Sequence, residues 1–371
     1  MYYRNSKYRE DLDEAINGTA DFEKLNGKTF FLTGATGLIG SFMADLLIYA
    51  NETRQAGIRV YALVRNREYA ECRFRSLMEH PEFHLIVQDV CEPPGVEEKA
   101  DYIIHAAGDG YPEAFSEHPA ETMLPALVGT WRLLEYAREA GQPRFLYVSS
   151  GEIYGDMSIR GYVDQNAGGR GGFVETDSGY VDTMKSRSCY PSAKRAAETM
   201  CAAYHAEYGL DAVVVRPSHV YGPNTSSKDN RAAAQFFRDV LTGRDVVLKS
   251  EGRQMRSYTY VGDCVSAMLT VLIKGAAGEA YNVANPQARI TIAEFARMTA
   301  ECGGRKCLFE VPIAADSRES TPISYGVLDS SKLQDLGWEG TYDVPRGIRH
   351  TLQIMESLAE EDYRLSHSCE M

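Results

Sequence analysis

Thr29-Phe-Phe-Leu-Thr-Gly-Ala-Thr-Gly-Leu-Ile-Gly40 is the stretch that decides the fold of this 371-residue chain. A short apolar run with the character of a β-strand leads into Gly34, Gly37 and Gly40, and residues 41–50 continue with a helical pattern. Glycine is required where a backbone turns tightly and approaches a pyrophosphate, and a helix N-terminus favours that anion through its unpaired N–H groups and its dipole. Strand, glycines and helix in this order predict a dinucleotide-binding site, with an ordinary glycine-rich turn as the alternative.

The rest of the chain alternates β-runs with helix-length amphipathic segments, which is typical of a parallel sheet with crossover helices. The predicted strands are 29–32, 59–64, 85–89, 102–105, 144–149 and 212–216. The predicted helices are 11–16, 41–50, 68–79, 121–140, 192–208, 232–241, 263–273 and 292–301. We therefore expect an α/β protein with a Rossmann-like, doubly wound parallel sheet and a smaller C-terminal substrate lobe.

The same pattern suggests a division of the chain into three parts. Residues 1–27 form a short N-terminal extension, and residues 28–220 form the dinucleotide-binding domain, to which residues of about 255–275 return in part. Residues 221–371 form mainly the substrate-binding lobe. Residues 155–188 are rich in glycine, charge and tyrosine, and we expect either a lid over the substrate or a surface loop there.

Composition excludes several classes of function. The net charge of −13 is spread along the chain without a basic stripe, which argues against nucleic acid as the main partner. The eight cysteines contain no C-x-x-C pair and no histidines at metal-ligand spacing, so we expect no metal site and mostly buried, reduced thiols. No apolar run is long enough to span a membrane, and the polar N-terminus lacks a signal-peptide pattern, so we expect a cytoplasmic protein.

Candidate catalytic residues follow the fifth predicted strand. Ser150 lies at its end, and Tyr190 and Lys194 open the helix beyond it. Residues four apart share one helical face, so the phenol and the ammonium group are expected to project together. A nearby cation favours phenolate over phenol, which makes tyrosine a general base near neutral pH. We expect Ser150 to hydrogen-bond the same substrate oxygen and Lys194 to reach a cofactor ribose as well.

An ordered series of segments now resembles the extended short-chain dehydrogenase/reductase family, the nucleotide-sugar epimerases and dehydratases. The resemblance covers residues of about 28–355 and rests on Thr33-Gly-Ala-Thr-Gly-Leu-Ile-Gly40, Gln88-Asp-Val90, His105-Ala-Ala107, Ser149-Ser-Gly-Glu-Ile-Tyr-Gly155, Tyr190 with Lys194, Arg216-Pro-Ser-His-Val-Tyr-Gly-Pro223 and Arg256-Ser-Tyr-Thr-Tyr-Val-Gly-Asp263. It implies a homodimer packed through the helices at 121–140 and 192–208. The residues that it implies for cofactor binding are Gly34, Thr36, Gly37, Leu38, Ile39, Arg65, Asp89, Val90, Ala106, Ala107, Tyr190 and Lys194.

The resemblance also implies a mechanism. Tyr190 would remove the proton of a sugar 4-hydroxyl while the cofactor takes the C4 hydride, which gives a 4-keto intermediate that allows epimerisation, loss of water or decarboxylation. Glu152 occupies the position of the catalytic glutamate in the dehydratases and the UDP-glucuronate decarboxylases, so we favour those reactions over 4-epimerisation. The alternative is that Glu152 merely orients the following loop. Gly151 departs from the dTDP-glucose dehydratase pattern, which has an aspartate there.

The cofactor remains open between NAD and NADP. Strand two ends at Arg65, where an acidic residue would hydrogen-bond the ribose of NAD, whereas a guanidinium group suits a 2′-phosphate. Arg65 therefore favours NADP over NAD as the cofactor. This supports a runner-up, an NADPH-dependent ketone reductase of the same family. A non-catalytic NADP-sensing protein is a third hypothesis, against which the retained tyrosine and lysine argue.

A nucleotide-diphosphate sugar needs cations inside this acidic protein. By resemblance, Arg256 lies at the family's phosphate-binding arginine and Arg318 near a second one. Guanidinium groups suit such oxygens because they bind them in a bidentate manner. His219 replaces an asparagine that is usual in the family, and with Ser150 it completes the expected substrate contacts.

Overall fold

The computed structural model describes residues 2–95, 98–156, 172–310 and 325–368, with side chains up to residue 359. Seven parallel strands form the central sheet in the order β10-β6-β5-β4-β1-β2-β3. They are β1 Thr29–Thr33, β2 Arg59–Val64, β3 Phe83–Val87, β4 Tyr102–His105, β5 Arg144–Val148, β6 Ala212–Pro217 and β10 Ala280–Val283. The strand order reverses direction beside β1, as in a doubly wound Rossmann-like fold, so the predicted fold class is confirmed.

Within the described ranges, six short strands lie outside the central sheet. They are β7 His219–Tyr221, β8 Val246–Leu248, β9 Met255–Tyr260, β11 Arg289–Thr291, β12 Cys307–Phe309 and β13 Tyr325–Gly326. In one small sheet, β9 pairs in parallel with β7 and β13 and in antiparallel with β11, while β8 and β12 form a separate parallel pair. The chain returns from this region to add β10 to the central sheet, a strand that the sequence analysis missed.

The helices pack around the sheets. They are α1 Ser6–Asn17, α2 Leu38–Arg54, α3 Arg67–Arg73, α4 Pro112–Glu117, α5 Pro119–Leu124, α6 Thr130–Glu139, α7 Cys189–Tyr208, α8 Ala232–Leu241, α9 Val261–Lys274, α10 Ile292–Cys302, α11 Ser331–Gln334 and α12 Val344–Ser368. In the described part of the chain, none of them has both the length and the apolarity that a membrane span requires.

Two predicted helices are shorter or interrupted in the structure. The one predicted at 68–79 ends at Arg73, and the one predicted at 121–140 is divided into α5, a π-helical segment Pro125–Gly129, and α6. Proline has no N–H to donate to the preceding turn, so the regular helix cannot continue unchanged at Pro125. The wider turn leaves the Pro125 carbonyl available to His105, whose Nε2 lies 3.0 Å from it.

The cysteines were predicted to be mostly buried thiols, and this is only partly right. All seven that the structure describes are free, but only Cys189, Cys201 and Cys264 are buried. Cys91 and Cys307 are half-buried, whereas Cys72 and Cys302 are exposed. Cys369 lies outside the described residues.

The N-terminal extension contributes to the hydrophobic core, and its helix α1 is longer than predicted. Asp45 on α2 is fully buried and accepts hydrogen bonds at 2.8 Å from the Tyr8 hydroxyl and at 2.7 Å from Arg73. Burial raises the pKa of Asp45, and the charge of Arg73 opposes that shift. Helices α1 and α3 are thereby tied to α2, the helix that follows the glycine turn.

A second buried carboxylate ties α1 to the C-terminal part of the chain. Asp11 is fully buried and accepts hydrogen bonds from the hydroxyls of Tyr260 and Tyr342, the latter at 2.8 Å. His350 on α12 contributes its Nδ1 at 2.6 Å. A buried charge needs such partners, because each lost hydrogen bond would leave it uncompensated.

We predict that Asp45→Ala lowers the free energy of unfolding by about 3–5 kcal/mol, because it leaves the buried guanidinium of Arg73 without its counter-charge. The matched control is Asp13→Ala on α1, which breaks an exposed ion pair with Arg54 and should cost less than about 1 kcal/mol. Denaturant unfolding measures both free energies, and equal losses of stability in the two variants would contradict a stabilising role for the buried pair of Asp45 and Arg73.

Candidate active site

Most of the predicted cofactor-binding and catalytic residues lie at one edge of the central sheet. Because its strands are parallel, their carboxyl ends meet at the same edge, where ligands bind in this class of fold. Four neighbouring strands end there, and the residues directly after them are Gly34, Arg65, Ala106 and Ser149.

The glycine turn brings the chain closer to β4 than any side chain would allow. Gly34 has a φ of +67°, and a Cβ built there would lie 2.5 Å from the carbonyl carbon of Ala106 and 2.6 Å from the nitrogen of Ala107. A Cβ on Gly40 would lie 2.3 Å from the Gly34 carbonyl oxygen. Gly37 precedes the first residue of α2, Leu38, and provides no side-chain cap for the helix N-terminus.

These features fit a dinucleotide. The first N–H groups of α2 receive no side-chain cap from Gly37, and a helix N-terminus of this kind binds pyrophosphate oxygens. Asn224 stabilises the start of α2, because its Nδ2 donates hydrogen bonds of 2.7 Å to both the Leu38 carbonyl and the Ser41 hydroxyl.

At the ends of β2 and β3 lie the residues expected to contact the adenosine half of a dinucleotide. Arg65 is 63% exposed and forms an ion pair with Asp109 at 3.7 Å. Asp89 is exposed and accepts a hydrogen bond from the Cys91 nitrogen, whereas Val90 is buried beside Gly129. The structure therefore places Arg65 and Asp89 at the same edge as the glycine turn.

Tyr190 and Lys194 lie on the first turns of α7, as predicted. The ammonium group of Lys194 is 5.7 Å from the centre of the Tyr190 ring and donates a 2.7 Å hydrogen bond to the Val148 carbonyl at the end of β5. Burial lowers the pKa of Lys194 to about 8. The Tyr190 hydroxyl lies near Gly110, in the loop after β4, since a Cβ built on that glycine would be 3.7 Å from it.

The electrostatics of Tyr190 differ from the expectation. Burial raises its pKa to about 12, and the charge of Glu152 acts in the same direction. A hydrogen bond with Ser150 and the charges of Arg231 and Arg187 oppose the shift, whereas Lys194 is not among these influences. The phenol is therefore not a base near neutral pH in the protein alone, because desolvation outweighs the neighbouring cations.

His105 is a packing residue of the site. It is fully buried, its Nδ1 lies 2.8 Å from the Thr33 hydroxyl, and its Nε2 lies 3.0 Å from the Pro125 carbonyl. A carbonyl oxygen only accepts, so Nε2 donates to Pro125 and Nδ1 accepts from Thr33. Burial, followed by the charge of Lys194, lowers the pKa of His105 to about 3, so the ring stays neutral and joins β1 to β4 and the π-helical turn.

Ser150 and Glu152 lie together after β5. The Ser150 hydroxyl accepts a 3.1 Å hydrogen bond from the Glu152 nitrogen and begins the 3-10 turn Gly151–Tyr154. The Glu152 carboxylate is held by the guanidinium group of Arg187 through contacts of 3.2–3.3 Å. Sequence reasoning missed Arg187, although its position just before α7 and three residues before Tyr190 was an available signal.

The expected substrate contacts are brought together only in part. Arg256 is buried, and its Nη1 donates to the Met255 carbonyl, while the charge of Glu152 acts on it. His219 at the start of β7 is exposed, with its ring 5.9 Å from that of Tyr258. Arg231, which was not predicted as a site residue, forms hydrogen bonds with Asp229 at 2.5–3.0 Å. It also interacts electrostatically with Tyr190 and Glu152. Arg318 lies outside the described residues.

Among the residues that the structure describes, no group of three or more His, Cys, Asp or Glu side chains is arranged to hold a metal ion. The described site consists instead of a glycine turn, a tyrosine and lysine pair, a serine, a glutamate and several arginines. Such a combination at the carboxyl edge of a doubly wound sheet defines a dinucleotide-dependent enzyme.

Comparison with known proteins agrees with this class. The model of the NAD dependent epimerase/dehydratase family matches residues 30–284, so the chain belongs to that family. UDP-glucuronic acid decarboxylase 6 of Arabidopsis thaliana is 30% identical over 339 residues, which are 90% of this chain and 88% of the relative. UDP-glucuronic acid decarboxylase 1 of Xenopus tropicalis is 28% identical over 90% of this chain and 73% of the relative. The predicted family, and with it the prediction of an enzyme, is confirmed.

Solved structures share the fold. A dTDP-glucose 4,6-dehydratase from Bacillus anthracis, in complex with NAD, matches with a TM-score of 0.73 and 21% identity over 90% of this chain and 98% of its own. A UDP-glucuronic acid 4-epimerase from Bacillus cereus, in complex with UDP-glucuronic acid and NAD, matches with a TM-score of 0.72 and 19% identity over 89% of this chain and 99% of its own. At these identities the likeness establishes the fold alone.

We predict that Gly34→Ala weakens NAD binding by about tenfold or more, because the added Cβ must push the turn away from Ala106 and so disturbs the start of α2. Gly209→Ala is the matched control, with a φ of +68° and no atom within 4 Å of the added Cβ. It should lose about 1–2 kcal/mol of stability through its backbone and keep its affinity for NAD. Calorimetric titration of folded variants measures both, and wild-type NAD affinity in Gly34→Ala would refute the placement of the cofactor.

Proposed function

We propose that the protein is an NAD(P)-dependent enzyme that oxidises C4 of a nucleoside-diphosphate hexuronate and releases its C6 carboxylate as carbon dioxide. The observation that carries the proposal is the meeting of Tyr190, Ser150 and Glu152 at the carboxyl end of β5, with Arg187 bound to Glu152. The similarity of the chain to UDP-glucuronic acid decarboxylases over 90% of its length supports it.

Two features favour decarboxylation over dehydration. Position 151 is a glycine, whereas dehydratases of the dTDP-glucose type pair their glutamate with an aspartic acid there, as the resemblance implied. In addition, Arg187 and Arg231 act on Tyr190, while Arg256 interacts with Glu152. Three guanidinium groups around one sugar site, in a chain of net charge −13, suit a substrate that carries a carboxylate as well as a diphosphate.

The residues of this chain then have distinct tasks. Tyr190 removes the proton of the sugar 4-hydroxyl, and Ser150 hydrogen-bonds the same oxygen. A bound NAD(P) would supply a reversible hydride acceptor for C4, and its positive charge would favour the ionised form of Tyr190. The sugar with a C4 ketone and a C6 carboxylate is a β-keto acid, so the C5–C6 bond breaks with its electron pair passing into the ketone. Glu152 serves the proton transfer at C5 that follows.

The residues proposed to hold the cofactor are those of the glycine turn and its neighbours. Gly34, Gly37 and the α2 N-terminus would hold the pyrophosphate, and Ala106 and Ala107 would pack against it. Lys194 would reach the ribose next to the nicotinamide. We propose Arg65 as the residue that admits NADP, since its exposed ion pair with Asp109 at 3.7 Å is loose and exchanges readily for a phosphate.

We predict that Arg65→Ala weakens NADP binding by about tenfold, because the 2′-phosphate loses its guanidinium partner, and changes NAD binding by less than about twofold. Calorimetric titrations with both cofactors give the two affinities. Arg67→Ala is the control, because Arg67 is equally exposed and pairs with Glu71 instead. Equal changes for NAD and NADP in Arg65→Ala would argue against a role in selection.

We also propose a homodimer, with residues 221–371 contributing mainly the substrate lobe. Leu124, Trp131 and Tyr208 expose between 40% and 47% of their surfaces on α5, α6 and α7, and apolar side chains grouped on adjoining helices favour self-association. The mass expected in solution is then twice 41.2 kDa. The free thiols among the described residues are consistent with a reducing compartment, for which we propose the cytoplasm.

The proposed reaction is tested by incubating the protein and either cofactor with UDP, dTDP, CDP and GDP sugars, including hexuronates, and following the product mass. We expect a hexuronate to lose the mass of carbon dioxide without net consumption of cofactor. Loss of the mass of water would instead indicate a dehydratase, and an unchanged mass with altered stereochemistry an epimerase. Stoichiometric oxidation of NADPH would establish the runner-up, a ketone reductase, which the exposed Arg65 favours.

Two substitutions sharpen the same assay. Tyr190→Phe should slow product formation by about 10²–10⁴-fold, since it removes the general base. Glu152→Gln should leave C4 oxidation and cleavage of the C5–C6 bond in place and slow the proton transfer at C5, so that reduced cofactor accumulates on the enzyme. Glu207→Gln, on the exposed side of α7, is the control and should behave as the wild type.

A further inference from the structure

Arg187 makes two contacts that join the candidate catalytic residues. It lies in the short 3-10 turn Ser186–Ser188, directly before α7. Both terminal nitrogens of its guanidinium group contact the Glu152 carboxylate at 3.2–3.3 Å. The carbon of the same group lies 4.7 Å from the centre of the Phe115 ring.

Phe115 extends this arrangement to Tyr190. The two rings are stacked, with centres 4.6 Å apart and planes inclined by 25°. Phe115 is only 1% exposed, and its carbonyl is 4.0 Å from the Cys189 sulfur on the first turn of α7. A buried ring that is held on several sides constrains its neighbours, so Phe115 restricts the orientation of the Tyr190 phenol.

Several charged groups act on Tyr190, and Arg187 is distinguished by its contacts. Glu152, Arg231 and Arg187 influence the phenol, and Lys194 lies 5.7 Å from its ring. Arg231 makes its close contacts with Asp229, at 2.5–3.0 Å, and Lys194 donates to the Val148 carbonyl. Arg187 binds Glu152 itself and also contacts the ring on which Tyr190 stacks.

A purely structural ion pair is the alternative, but the site disfavours it. The side chains of Arg187 and Glu152 are 30% and 24% exposed, and a partly solvated pair adds little net stability. Its geometry is nevertheless specific, because the planar guanidinium group contacts a carboxylate with both terminal nitrogens and an aromatic ring as well, a geometry that an ammonium group does not provide.

We propose that Arg187 is a positioning residue of the reaction, which orients Glu152 through its guanidinium hydrogen bonds and fixes Tyr190 through Phe115. The proposal rests on the proposed function, since that function gives Glu152 and Tyr190 their roles. Arg187 thus couples the group that acts at C4 to the group that acts at C5. Its positive charge also favours the ionised form of Tyr190.

The first test needs no sugar substrate. The ionisation of Tyr190 in NAD-loaded enzyme is followed by the ultraviolet absorbance of tyrosinate. The absorbance of the Tyr190→Phe variant is subtracted, because it contains the signal of all the other tyrosines. Arg187→Met should lower the ionised fraction at a fixed alkaline pH by about threefold or more, because a nearby cation is lost. Arg187→Lys should restore most of that fraction, because the charge is kept. Lys185→Met, on an exposed side chain two residues away, should have no effect.

The second test uses the hexuronate turned over in the mass assay. Arg187→Met and Arg187→Lys should both lower kcat, by about tenfold or more, with a smaller change in KM, because each loses the planar contact that orients Glu152 and Phe115. The acidic limb of the plot of kcat against pH should move to higher pH in Arg187→Met, and it should stay at the same pH in Arg187→Lys.

The outcomes separate the two proposals. An unchanged Tyr190 ionisation in Arg187→Met, or an equal change in Lys185→Met, overturns the positioning role. Full recovery of kcat by Arg187→Lys also overturns it, because charge alone would then suffice. If no hexuronate is consumed, the proposed function fails, while the tyrosinate titration still decides whether Arg187 controls Tyr190.

Discussion

The close approach of the Gly34 turn to the backbone of Ala106 and Ala107 is the constraint on which the rest of the site depends. Only a residue without a Cβ, at a φ of +67°, allows β1 and β4 to end so near to each other. This approach places the start of α2, the loop after β4 and the end of β5 along one edge of the sheet. Helix α2 and Tyr190, the proposed base, can therefore contact the same ligand, although they lie far apart in the sequence.

Burial sets the electrostatics of this edge. Desolvation raises the pKa of Tyr190 to about 12 and lowers that of Lys194 to about 8, so both groups are drawn towards their neutral forms in the protein alone. A bound cationic nicotinamide and the neighbouring arginines act in the opposite direction, towards phenolate. In the proposed mechanism, the base would therefore ionise when the ligands bind. The buried carboxylates Asp11 and Asp45 serve another purpose, since their hydrogen bonds hold the N-terminal helix against α2 and α12.

The sequence was sufficient for features with a local pattern. The glycine turn and the Tyr190 and Lys194 pair depend on spacings of a few residues, which fix their geometry on one strand end and one helix. The π-helical turn at Pro125 had a local signal that was overlooked, because proline cannot donate the expected hydrogen bond. Contacts across the fold had no such signal: the pairing of Arg187 with Glu152 joins two loops, and strand β10 joins the central sheet only after a long excursion of the chain. The raised pKa of Tyr190 was not predicted, because the sequence does not reveal the burial of the phenol.

The central claim is that these residues serve a transient oxidation at C4 of a nucleotide sugar. Its most direct test is to supply a nucleoside-diphosphate hexuronate labelled with deuterium at C4 and to locate the label after complete turnover. If the hydride is removed and returned within one active site, the pentose product retains the deuterium at C4, and neither the water nor the released cofactor contains it. Deuterium in bulk water, or accumulation of labelled reduced cofactor in proportion to product, would contradict it.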